Sequence, residues 1–78
     1  MTAMKRDIQN NWVFEKIDMV KEHGSLVGTD KLGRVVYEYM KYRITAIATT
    51  KGLRVVMLAT PGLNRYEINR EQTRATLL

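Results

Sequence analysis

From Asp7 to Glu22 the apolar residues Ile8, Trp12, Val13, Ile17 and Val20 recur every three to five positions, which draws one stripe along a helix. Phe14 and Met19 fall off that stripe. Lys21 and His23 stand where the last turn would be, suited to the negative end of the helix dipole, and Gly24 follows at the position that commonly turns left-handed. Asp7 or Asn10 is the expected cap. After Gly24 two patterns compete. Leu26 and Val27, a loop over 29–33 with Gly33 at positive φ, and then Arg34 to Tyr39 make a hairpin. Leu32, Val35, Val36, Tyr39 and Met40 also fit a helical period over 29–42, but that helix would have to contain Gly33 and absorb Val35, Val36, Tyr37, Tyr39 and Tyr42. These are better strand formers, so strands are preferred.

The next stretch alternates more cleanly. Tyr42, Ile44, Ala46 and Ala48 interleave with Arg43, Thr45, Ile47 and Thr49, and after Thr50-Lys51-Gly52 the chain resumes with Leu53, Val55, Met57 and Ala59. A two-residue turn sets both apolar series on one face, which the helix is expected to cover. Trp12, Val13, Ile17, Ile44, Ala46, Val55 and Met57 are the expected core. The reverse face holds Arg43, Thr45, Thr49 and Arg54, but also Ile47, Val56 and Leu58, and is too apolar to be wholly wet. Thr60-Pro61-Gly62 marks a turn. Tyr66 and Ile68 around Glu67 suggest a short fourth strand, and Asn69 is placed to cap a closing helix through Leu78. The expected fold class is α+β: an N-terminal helix on a three- to four-stranded antiparallel sheet with a short C-terminal helix, in one domain over 1–78.

A chain of 78 residues has room for one thin core, burying roughly 60–65% of its unfolded surface. With no Cys and a single His, it has neither disulfides nor a zinc set to reinforce that core. Self-association is the remaining aid. A homodimer is therefore expected, across the face of Ile47, Val56 and Leu58 or across an edge strand. Lys5 and Arg6 are not followed by an apolar run, and no stretch approaches the roughly 18 apolar residues of a membrane span. The expected location is the cytoplasm, with no membrane partner.

Residues able to carry chemistry are sparse. Ser25 is the only serine and lies two residues from His23 across a glycine, with no third group to orient the pair. Gly28 and Gly33 have the spacing of a phosphate loop, but Arg34 and Val35 stand where Lys and Ser or Thr are needed. Glu15, Asp18 and Glu22 line one helix face, which is more simply a solvated strip than a cation cage. No catalytic residue, metal site or cofactor is expected.

Charge has a direction. The net charge is +5, and residues 31–65 carry Lys31, Arg34, Lys41, Arg43, Lys51, Arg54 and Arg65 against Glu38 alone. Cations interleaved with tyrosines on strands suit a surface that binds phosphates and stacks bases. Arg34, Tyr37, Tyr39, Lys41, Arg43, Lys51 and Arg54 are the candidate contacts with nucleic acid or an acidic protein surface. Half-buried tyrosines and solubilising cations would look the same. The rival expectation is a protein-protein interaction module, or an inhibitor of a larger partner, of the kind encoded by phages and mobile elements, without nucleic-acid contact. The helix–three-strand–helix order is also that of double-stranded-RNA-binding domains, but Asn69-Arg70-Glu71-Gln72 is not their basic second-helix motif. A winged helix would need a recognition helix for which there is no room. Neither family's residues carry over.

Overall fold

In the computed structural model, residues 11–62 and 64–78 are described in full, and residues 2–10 by their backbone alone. Helix α1 (Thr2–His23) leads into six strands: β1 (Ser25–Thr29), β2 (Val35–Tyr39), β3 (Tyr42–Thr49), β4 (Gly52–Ala59), β5 (Arg65–Ile68) and β6 (Ala75–Leu77). The strands form one antiparallel meander in sequence order. The expected sheet of three or four strands is therefore corrected to six, and there is no C-terminal helix among the described residues.

The helix stripe behaves as its period demands. Val13, Ile17 and Val20 are buried against Ile44, Ala46, Val55, Leu58, Tyr66 and Ile68. Asp7 and Asn10, the expected caps, fall inside the helix because it starts at Thr2. Trp12 is not in the core: it is 38% exposed. Its ring lies 6.1 Å from that of Tyr42 and 6.4 Å from that of Tyr66. Lys16 Nζ stands 5.3 Å from the Tyr42 centroid and 5.8 Å from that of Trp12, so its cation closes the edge of the core over ring faces. At the other end of the stripe, His23 stacks 5.4 Å from Tyr39.

The sequence from 25 to 39 forms the hairpin rather than a helix. Gly33 takes φ +79° in its turn, which costs glycine little. The β2–β3 turn is less orthodox. Tyr39 pairs with Tyr42 across only Met40 and Lys41, whose φ angles are +49° and +69°. Two positive φ values are what a type I′ turn requires, and that turn favours Asn-Gly. For other L-residues the left-handed region costs about 1–2 kcal/mol each. Replacing Met40-Lys41 by Asn-Gly is expected to add about 1 kcal/mol of stability, read as a melting temperature higher by roughly 4–8 °C.

One irregularity in β4 rearranges the faces. Thr45 pairs with Met57 but Ala46 pairs with Val55, so Val56 is an extra residue, a β-bulge. Beyond it the alternation flips: Leu58 points to the helix and is fully buried, while Met57 turns away. Met57 is thus removed from the expected core and Leu58 from the expected reverse face. The C-terminal segment departs because Asn69 closes a single turn instead of a helix. Its Oδ1 accepts from the N–H groups of Thr73 and Arg74 at 2.8 and 2.9 Å, and Gln72 sits at φ +57°. The chain then reverses, and Ala75–Leu77 pairs with β5. Gln72 Oε1 accepts from Val55 N–H at 3.0 Å, satisfying β4 just where β5 stops pairing with it.

Candidate binding surface

The strand registers assign the site residues that lie on strands to a face. Ser25, Glu38, Arg43, Ala59 and Arg65 form one row across β1–β5 on the face away from α1. Gly28, Val36, Thr45, Met57, Glu67 and Thr76 form the next row on that face. Ile47 and Arg54 pair beyond it. The row of Arg43 and Arg65 is four residues along β3 from that of Arg54, about 13 Å. Between them lie Val36, Val56 and Met57, all half-buried, with Ile47 beside Arg54 and with Thr45 and the exposed Glu67 in the middle row. The open face is thus an apolar strip with arginines at both ends.

The cations differ in how free they are. Arg43 donates to Glu38 at 2.9 Å in an exposed pair. Arg54 and Arg65 have no ion-pair or hydrogen-bond partner for their guanidinium groups among the described residues, and the same holds for the ammonium of Lys51 in the β3–β4 turn. Arg34 is committed. Asp30 Oδ2 accepts from its Nε at 2.6 Å, and Asp30 Oδ1 accepts from the N–H groups of Arg34 and Leu32, both at 2.9 Å. Partial burial pushes the Asp30 carboxyl up, but these bonds and the guanidinium charge outweigh it and hold it below its ordinary value. In the turn between Gly28 and Gly33 the Leu32 N–H goes to the Asp30 carboxylate, while those of Asp30 and Gly33 donate to the Arg34 and Asp30 carbonyls, so these groups form no cradle for a phosphate.

The tyrosines are on the other face. Tyr37 and Tyr39 pair with Ile44 and Tyr42 and pack against the core under α1. The seven sequence-predicted contacts are therefore not brought together. Arg43 and Arg54 share the open face, Lys41 and Lys51 occupy turns at opposite ends of the sheet, Arg34 is held by Asp30, and Tyr37 and Tyr39 face the helix. Of the expected dimer surface, Ile47 and Val56 lie on the open side and Leu58 is inside. Arg65 was missed, although it precedes Tyr66 and so alternates onto the same face as Glu67. Arg70 and Arg74, in the β5–β6 loop at the Lys51 end, were missed because a helix was expected there.

Among the described residues no three carboxylate or imidazole side chains gather as a metal site. Among the same residues no helix is long and apolar enough to cross a membrane. Comparison with protein-family models, with curated proteins and with solved structures yields no match for the chain.

Proposed function

We infer that this protein is a non-enzymatic, cytoplasmic binding domain whose open sheet face docks on a polyanion, most plainly the phosphate backbone of a nucleic acid. One observation carries the reading: Arg54 and Arg65 stand unpaired on that face, Lys51 borders it, and Arg43 is held there only by an exposed pair. Because Tyr37 and Tyr39 lie under the helix, the face offers no ring for a base to stack on. Contact is then to phosphates, sequence-independent, and at least as strong for duplexes as for single strands.

Fluorescence anisotropy with labelled duplex and single-stranded oligonucleotides tests this. Log affinity should fall against log salt with a slope of roughly −0.9 per phosphate on duplex DNA, about −3 if Lys51, Arg54 and Arg65 each hold one. An Arg54→Ala, Arg65→Ala double variant should lose about two units of that slope. Absence of binding at about 50 mM salt, or an unchanged slope in the double variant, refutes it.

A second reading is favoured by the apolar strip. Val36, Ile47, Val56 and Met57 between arginines match an interface with a dry centre and a charged rim, as on a module that inhibits a larger protein. Such binding would depend on Ile47 and Met57 and respond weakly to salt.

A further inference from the structure

The sheet ends in two edges, and they are not alike. Edge β6 is three residues long, and its last pairing continues into Leu78, whose N–H donates to the Arg65 carbonyl at 2.8 Å. Edge β1 is five residues long and every one is exposed. Its sequence, Ser25-Leu26-Val27-Gly28-Thr29, holds neither a charge nor a proline. Leu26 and Val27 stand 56% and 55% exposed, and Leu32 in the following turn 77%. Folded proteins ordinarily blunt such an edge with Lys, Pro or an inward charge, since its outward N–H and C=O groups invite another strand. The device present here is a bulge at Val27.

We propose that β1 pairs antiparallel with β1 of a second copy of this chain, about a two-fold axis at Val27. The charges at the ends of the strand choose this partner and this direction. Lys21, Glu22 and His23, in the last turn of α1, precede β1, and Lys31 follows it. Lys31 is exposed and its ammonium has no partner among the described residues. Antiparallel pairing sets the end of α1 in each copy, where Lys21 and Glu22 offset each other, toward Lys31 of the other; parallel pairing would set Lys31 against Lys31. Leu26 and Val27 of the two copies meet at the axis. A two-fold of this kind stands perpendicular to the sheet, so both helices lie on one side and both open faces on the other. The result is a continuous sheet of twice the strands, with the Arg43, Arg54 and Arg65 sets of the two copies side by side. This association is independent of the polyanion reading and is tested without nucleic acid.

The natural chain has no Cys, which makes single-cysteine probes clean. Directly opposed residues of an antiparallel pair have Cα atoms about 4.5–5.5 Å apart, within disulfide range. Val27→Cys is therefore expected to cross-link into a covalent dimer under mild oxidation, while Ile47→Cys, on the open face, stays single. In sedimentation equilibrium the unmodified chain should move from one to two chain masses as its concentration rises. Glu22→Lys, which removes the offset to Lys21 and sets two cations toward Lys31, should weaken the dimer about tenfold or more, the equivalent of about 1.4 kcal/mol, and Lys31→Glu added to it should restore the dimer. A single chain mass at every concentration overturns the proposal. So does cross-linking through Ile47→Cys in place of Val27→Cys, which would assign the dimer to the open face, or a dimer indifferent to Glu22→Lys.

Discussion

Leu58→Ala is expected to remove about 2–5 kcal/mol of stability, whereas Met57→Ala, one residue away, should cost well under half as much. The difference rests on the bulge at Val56. Leu58 is fully buried among Val13, Ile44 and Tyr66 in the core cluster, and a void there has helix on one side and sheet on the other, so collapse is limited. Met57 sits half-exposed on the open face beside Thr45 and Glu67, where a shorter side chain leaves no closed cavity. Strict alternation along β4 assigns the two residues the opposite way and so predicts the opposite ranking. Urea unfolding of both variants decides it. A domain this small has a stability of only roughly 5 kcal/mol to lose, so Leu58→Ala should be close to unfolded at room temperature. Equal losses, or a larger one at Met57, would mean that β4 carries no bulge at this point.

That residue pair also shows where reading along the chain stops. The helix stripe of Val13, Ile17 and Val20 and the turn at Gly33 were legible because each is a local pattern with a local cause. Val55-Val56-Met57-Leu58 is four apolar residues in a row. Nothing within it marks which one is extra; the choice is made by Ala46 and Ile44 across the ladder and by Tyr66 beyond. β6 was hidden for a related reason. Asn69 is as good a helix cap as it is a one-turn closure, and only pairing of Ala75–Leu77 with β5 selects the second. The tyrosines were grouped with the cations, although the signal that separates the two was in the sequence. A two-residue turn at Met40-Lys41 makes Tyr39 oppose Tyr42, and alternation then sets Tyr37, Tyr39, Tyr42 and Ile44 on one face. With Ile44 assigned to the core, those rings had to lie under the helix, away from Arg43 and Arg54. The cations were found from composition, but their division into free and committed depended on Asp30 and Glu38, partners that the folded turn and ladder supply.

Gly24→Ala should destabilise the protein by about 1–3 kcal/mol, although alanine at a helix end ordinarily gains on glycine. Gly24 was expected to serve through a left-handed conformation, yet it is not among the residues with positive φ. It serves through the absence of a side chain. Its N–H donates to the Val20 carbonyl at 2.8 Å, closing the last turn of α1, and Ser25 opens β1 immediately after, paired with Glu38. The chain therefore passes from helix to sheet in one residue. A Cβ there would collide with the Val20 carbonyl oxygen, and would lie 3.0 Å from Val20 Cγ1 and 3.1 Å from the Glu38 carbonyl oxygen. Two of those three atoms are backbone, and the third belongs to a fully buried side chain, so none can swing aside. Relief requires α1 to lift from β2 or β1 to slide along it, and either move opens the end of the core around Val20. Gly62→Ala is the control: its Cβ would meet nothing within 4 Å, and its φ is not positive. The measurement is the urea midpoint of each variant. A shift down for Gly24→Ala with little or none for Gly62→Ala supports close approach as the reason for glycine at 24. A gain at 24 would show that the helix-to-strand junction has room to spare.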